Sequence, residues 1–355
     1  MHVLLNDEER LLAESVFQRA RDLGAATPGE FRAYDDSKLW AALAAMDVLG
    51  LGLPASVGGV GTILDAAIVA MSLGRALAPV SYLGGGVLPG QLLVAAGAGP
   101  DLIEEVVTGA RRFAVGIDPV THTIAGKSSS EALAWDSAGA EAALVLDGDG
   151  VGRLVAVSLE SASVGLDLTR EVRRCVLGDR IHVEGLAGSD GGLRPTDLAR
   201  WEALALTLLS ADMVGVMEGA LRLGVEHVTT RQQFGVSIGT FQALQHLLAE
   251  QQVSIEGARA TTFFAAWAIE NRPGEATLGA HTAKAYCSEH GRRVCEAVLQ
   301  VHGGMGMTWE CFAHGFLKRL LSDRSALGDE RRHYRIIAAS QRSVRREEAL
   351  SGLRR

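Results

Sequence analysis

Arg231-Gln232-Gln233-Phe234-Gly235, continuing through Ile238-Gly239-Thr240-Phe241-Gln242, separates two long runs of helical period. It sets a permanently charged guanidinium, two amides and an aromatic ring beside a glycine break, a seat suited to a flat, anionic ligand. A second segment, Gln300-Val301-His302-Gly303-Gly304-Met305-Gly306-Met307-Thr308-Trp309-Glu310, closes the next helical region. Its glycines let main-chain N–H groups approach a phosphate without Cβ hindrance. Taken singly, the first motif is most often an ordinary helix terminus, and His302 reads as a positioning donor or structural filler rather than a proton carrier.

Around these motifs the apolar positions recur with helical period from Pro195 onwards. The pattern predicts helices over 196–230, 241–269 and 275–301 and a shorter one after Trp309, with Pro273-Gly274 cutting the second from the third. Long helices joined by short connections become antiparallel neighbours, hence a four-helix bundle over residues 191–355. Trp267 and Trp309 read as core residues, and Glu289, His290 and Arg292 as a solvated ionic face. The basic groups from Arg331 to Arg335 and from Arg342 to Arg355 read as a solvated helix face or a frayed tail.

Upstream the texture differs. Short runs (113–117, 142–146, 154–158, 175–177, 181–183) alternate with Gly, Asp, Pro and Ser, and Asp147-Gly148-Asp149-Gly150 is a hairpin signal, giving a small β-domain over 112–190. No glycine fingerprint follows a strand and opens a helix there, which disfavours a Rossmann site. Residues 1–111 read as all-helical: a helix from the N-cap Asn6 to about Leu23, a second over 36–48, and a third over 63–78 stopped by Pro79. The glycines at 84–86 mark a break before the run 92–96.

Composition bounds the rest. The 355 residues are 48% hydrophobic and 21% charged, an ordinary globular balance with room for two or three domains. The formal net charge of −8 argues against nucleic acid as a partner. Four cysteines (Cys175, Cys287, Cys295, Cys311) form no CxxC pair and stand at no metal spacing, so neither a disulfide framework nor a metal site is expected. The acidic start, Asn6-Asp7-Glu8-Glu9, is unlike a secretory signal, and Asp47 and glycines interrupt the best candidate for a membrane span. A cytoplasmic protein with no membrane partner is the expectation.

The two motifs in this order resemble the carboxy-terminal domain of the acyl-CoA dehydrogenase family. The amino-terminal order Gly52-Leu53-Pro54, Gly58-Gly59-Val60-Gly61, helix, Gly74-Arg75-Ala76-Leu77-Ala78-Pro79 looks like that family's first domain. The resemblance covers nearly the whole chain and implies an α+β fold: helical domain, small middle β-domain, four-helix bundle. It also implies FAD, bound between subunits, and α,β-dehydrogenation of an acyl-CoA thioester, with electrons leaving to an electron-transfer flavoprotein. Carried over, Arg231 would pair with the pyrophosphate, Phe234 would pack on the cofactor, and Gln233 and Gln242 would contact it. Gln300, Gly303 and Gly304 would approach its ADP half.

Two departures stand against the family pattern. Where members carry a Thr-Glu-Pro-x-Ala-Gly-Ser-Asp loop, this chain has Val115-Gly116-Ile117-Asp118-Pro119-Val120-Thr121. Where members carry a base in a Tyr-Glu-Gly-Thr-like turn, it has Ala326-Leu327-Gly328-Asp329-Glu330, making Asp329 or Glu330 the candidate base and a helix cap the competing reading. A subset of the family takes its base from the first helix of the bundle, at about Ala205 here, with Glu202 one turn earlier. The chain resembles the smaller subunit of actinobacterial heterotetrameric acyl-CoA dehydrogenases, which often act on bulky CoA thioesters, including those of steroid side chains. Two further readings stay open: a catalytically silent structural subunit, and a flavin monooxygenase or nitroalkane-oxidase-like enzyme on the same fold.

Overall fold

The first helix is closed by its own side chains: Asn6 Oδ1 accepts from the Glu9 N–H at 2.8 Å, and Glu9 Oε2 accepts from the Asn6 N–H at 2.7 Å. That capping box opens α1 (Asp7–Leu23) in the computed structural model, which describes residues 5–149, 151–162, 165–186 and 192–352, side chains beyond 342 excepted. Gly150 of the expected turn, the expected boundary at 190 and the last three residues of the basic tail lie outside the described residues.

The amino-terminal layer continues with α2 (Ser37–Ala44), α3 (Ile63–Arg75), α4 (Leu88–Ala95) and α5 (Pro100–Val107). The second helix stops four residues short of expectation, because Asp47 takes a left-handed φ of 56° and a 3₁₀ turn, Val48–Gly50, follows. The glycines at 84–86 do not break the chain: Tyr82–Val87 forms a π-turn that runs straight into α4. Gly84 is small because a Cβ there would overlap the Trp135 and Asp136 carbonyl oxygens.

The middle layer is a closed barrel of β1 (Phe113–Ile117), β2 (Leu133–Trp135), β5 (Val172–Ile181), β4 (Leu154–Leu159) and β3 (Ala142–Leu146), in that order around the ring. Strand alternation sorts its residues. Ala114, Ala134, Ala143, Val145 and Val157 fill the narrow interior, while Phe113, Val115, Leu144 and Leu146 face the helices and join the main core. The run expected at 175–177 lies within the longer strand β5, which ends at Ile181, the first residue of the run expected at 181–183, and the three-residue β2 is too short to show a period.

The carboxy-terminal layer holds α6 (Pro195–Thr230), α7 (Gln242–Asn271), α8 (Pro273–His302), α9 (Ala313–Ser325) and α10 (Glu330–Gly352). The first four pack as a bundle, and α10 lies along α8. The expected α+β class and its three-part order therefore hold. One expectation is corrected: α6 is long and apolar enough to cross a bilayer, but 94% of its apolar window is buried inside the protein. That apolar surface is taken up by α3, α7, α8 and α9, which pack against the helix on several sides.

Candidate functional site

The three layers meet at a cavity of about 310 Å³. The π-turn and α4 supply Gly84 and Leu88, the barrel supplies Val115, Ile117, Leu133, Trp135 and Val172, α6 supplies Trp201 and Leu209, and the end of α9 with the turn after it supplies Ser322, Ser325, Ala326 and Leu327. A second chamber of about 240 Å³ shares His122, Trp201 and Leu327 with the first and extends to Leu198, Ala199 and Glu202 at the start of α6. The indoles are fixed: Trp201 Nε1 donates to the Leu88 carbonyl at 3.0 Å, and Trp135 Nε1 to Ser322 Oγ at 3.3 Å. Walls this apolar strengthen the electrostatic effect of every polar group that reaches them.

Two titratable side chains line the chambers, His122 and Glu202. His122 follows a tight loop in which Asp118 Oδ1 accepts from the Val120 and Thr121 N–H groups at 2.8 and 3.0 Å. The loop is closed by His122 N–H to the Asp118 carbonyl and Asp118 N–H to the Thr123 carbonyl, both at 2.9 Å. His122 itself sits at φ 58°, a strained position for a non-glycine residue, held by that network. Burial, then the nearby Arg332 charge, lowers its pKa and keeps the ring neutral. Burial raises the Glu202 carboxyl above the ordinary value of 4.5, against the pull of Arg332, which makes it a stronger base when ionised.

Neither Asp329 nor Glu330 lines a chamber. Asp329 Oδ1 accepts from the Arg331 and Arg332 N–H groups at 3.1 and 3.2 Å, so it caps α10. Glu330 accepts a two-pronged pair from Arg324 at 2.7 and 2.5 Å, which lowers its pKa and weakens it as a base. The turn that carries both is anchored from beneath. Buried Lys284 donates to the Arg324 and Gly328 carbonyls at 2.9 and 2.8 Å, and His333 Nε2 donates to the same Gly328 carbonyl at 3.1 Å. A carbonyl only accepts, so His333 carries its proton on Nε2, and the 2.8 Å contact between the two Nδ1 atoms makes His281 the donor.

The quoted motifs come together elsewhere, at the far end of the bundle. His227 near the end of α6 stacks on His302 at the end of α8, ring centres 4.3 Å apart, which sets the Arg231 hairpin beside the Gly303 loop. In the hairpin β6 (Gln232–Gln233) pairs with β7 (Val236–Ser237), and Phe234 at φ 54° is 91% exposed, its ring 6.2 Å from that of Phe241. Arg231, Gln233, Gln242, Gln300, Gly303 and Gly304 are all exposed, and Arg231 makes no ion pair with a described residue. A Cβ on Gly303 or Gly304 would meet nothing within 4 Å, so the loop is an open cradle, and Gly303, at φ 61°, requires glycine. None of these seven residues lines the cavity. His302 is buried, with Nδ1 donating to the Val298 carbonyl at 2.8 Å, and acts as a filler.

Two expectations about tryptophan are corrected. Trp309 is 43% exposed and carries Arg32 and Lys318 over its ring at 4.7 and 4.6 Å, because its loop turns away from the core. Trp267 is half-buried beside Arg272. The sequence reading passed over His122 and Trp135; a lone aromatic and a lone histidine among Gly, Ser and Thr give no periodic signal.

Residues 6–98 match the family "acyl-CoA dehydrogenase, N-terminal domain" and residues 206–341 match "acyl-CoA dehydrogenase, C-terminal domain". The chain is 30% identical over 297 residues to acyl-CoA dehydrogenase IpdE2 of Mycobacterium tuberculosis, covering 81% of each protein. Its fold is similar to that of a chain in the ChsE4-ChsE5 complex of the same organism, with TM-score 0.79, 23% identity, and 96% and 99% of the two chains covered. It is also similar to a Tcur3481-Tcur3483 steroid ACAD variant, with TM-score 0.77, 23% identity, and 94% and 97% covered.

Proposed function

The chain belongs to the acyl-CoA dehydrogenase family, an oxidoreductase family, and on that premise we propose that it is one subunit of an FAD-dependent enzyme that desaturates an acyl-CoA thioester between Cα and Cβ at the three-layer cavity. The observation that carries this reading is the pairing of apolar walls with a single desolvated carboxylate, Glu202, on the adjoining chamber. The residues present fit the cofactor: an unpaired guanidinium and a glycine cradle suit a diphosphate, and a flat indole on the cavity wall suits a flat ring. Bound FAD supplies the hydride acceptor. Arg231 would hold the pyrophosphate, Phe234 and Phe241 would cover it, and Gln233, Gln242, Gln300, Gly303 and Gly304 would border its ADP half.

The surface motif and the cavity are separate on this chain, which supports a cofactor spanning two subunits. We assign the partner as a homologous larger subunit in a heterotetramer, a reading supported by the likeness to a chain from a complex of two different proteins. The electron acceptor in this reading is an electron-transfer flavoprotein. A bulky acyl group, such as a steroid side chain, suits the wide two-chamber space.

Within the cavity the chain's own groups divide the work. Apolar side chains from three layers exclude water, and Glu202 takes the α-proton onto its carboxylate. Asp329 and Glu330 are the alternative base, which requires Glu330 to leave Arg324. The silent-subunit reading has this engagement of both carboxylates in its favour. Dehydrogenation by the assembled enzyme decides between them. Glu202→Gln is expected to lower kcat by about 100-fold or more with flavin retained. Full activity in that variant together with loss in Glu330→Gln moves the base to the turn, and full activity in both makes this chain silent.

A further inference from the structure

A cluster of buried charges stands behind the cavity wall. Arg170, fully buried, places its Cζ 4.5 Å from the centre of the Trp135 ring. Its Nη1 lies 2.5 Å from Asp136 Oδ2, its Nη2 3.2 Å from Asp212 Oδ2, and its Nε 3.6 Å from Asp323 Oδ1. A second buried guanidinium, Arg319, grips Asp212 through Nε at 2.9 Å and Nη2 at 3.0 Å, and donates from Nη1 to Thr169 Oγ1 at 2.7 Å.

Three carboxyls face two guanidiniums here, and buried Asp167 and Lys284 act electrostatically on the same groups. Burial and the neighbouring Asp212 push Asp323 well above the carboxylate range, whereas Arg319 and Arg170 overcome burial and hold Asp212 low. Such clusters are weak stabilisers, since desolvation offsets most of their attraction. Their geometric effect is larger. Asp136 also accepts from the Gly84 N–H at 2.9 Å, and the Trp135 indole N–H is tied to Ser322, so the indole is fixed on its buried face, at its edge and through the adjacent residue.

We propose that Arg170 is a positioning residue: clamped by Asp136 and Asp212, its guanidinium plane holds the Trp135 indole flat as a preorganised stacking wall for an aromatic ligand ring in the cavity. The ligand assignment rests on the flavin reading above; the fixed wall does not. Lysine keeps the charge but loses the plane and the fork, so Arg170→Lys is the informative change.

Two readouts are combined, both on the chain together with its partner subunit where one is required. In the absence of ligand, acrylamide quenching of the Trp135 emission, taken as the difference from Trp135→Phe, is expected to increase in Arg170→Lys. With FAD as the probe, Arg170→Lys is expected to weaken binding about tenfold when the indole is present and by less than about twofold in the Trp135→Ala background, a coupling that a double-mutant cycle isolates. Equal weakening in both backgrounds, or unchanged quenching, overturns the proposal and leaves the cluster as a tie between layers. Where Arg170→Lys does not fold, Asp136→Asn, of the same shape, releases the clamp and is read the same way. A wild-type assembly that binds no FAD defeats the functional reading, while the quenching comparison still decides the positioning role.

Discussion

His122 and Glu202 carry the account at the scale of single residues. Glycine relieves the strain of φ 58°, so His122→Gly is expected to raise thermal stability, by about 1 kcal/mol. A loss of stability on that change would mean that the imidazole has a packing role the geometry does not show. Burial raises the Glu202 pKa, so if its ionised form is the base as proposed, the acid limb of kcat against pH should fall above the ordinary carboxylate value of 4.5 and disappear in Glu202→Gln. Among the described residues the sequence pointed to Glu202 only through its distance from Arg231, and it favoured Asp329 and Glu330 from their place in the turn. Our preference for Glu202 rests on three-dimensional contacts: Arg324 and two backbone N–H groups engage the turn carboxylates, and their involvement has no signature in sequence spacing. One signal was present and went unused, the lone Asp212 in the apolar run of α6, where an ionisable group must have a buried partner.

At the scale of elements, α3 and α6 approach until their backbones touch. A Cβ on Gly215 would overlap the Met71 carbonyl oxygen, one on Gly74 the Asp212 carbonyl oxygen, and one on Gly219 the Arg75 carbonyl oxygen. Gly215→Ala is therefore expected to destabilise the protein by about 2–3 kcal/mol despite the better helix propensity of alanine. An unchanged urea midpoint would contradict the close crossing. The buried pair between α8 and α10 gives an acid transition. Burial lowers His281 to about 4 and His333 to about 3, both below the ordinary 6.5, so the unfolded chain binds more protons than the folded one between those values. Stability should then rise with pH from about 3 to 6.5, and His333→Gln, which keeps a donor for the Gly328 carbonyl, should flatten that slope; an unaltered slope would place the transition elsewhere. Elements with a full period were legible: the capped α1, the long bundle helices and the strands at 113–117 and 142–146. The π-turn and β2 were not, since both owe their form to contacts across the layer boundary rather than to their own residues.

At the scale of the whole molecule, the order of layers followed from texture, because helices, short alternating strands and helices again each bury surface in a different rhythm. What the order could not reveal is that the quoted motifs and the cavity lie apart, one set on the bundle surface and the other at the junction. In the proposed reading the two sets serve flavins shared between subunits. An exposed Phe234 at 91% and exposed Met307 at 68% are consistent with a surface covered on assembly, and this chain alone is expected to bind FAD weakly. The measurement that tests the central claim most directly is an anaerobic titration with acyl-CoA, followed by the visible flavin spectrum, of the chain alone and co-purified with its homologous partner. The account predicts that the co-purified assembly carries FAD which bleaches on addition of substrate, and that Glu202→Gln keeps the colour and loses the bleaching. An assembly that carries no flavin, or one that bleaches at the wild-type rate with Glu202→Gln, contradicts it.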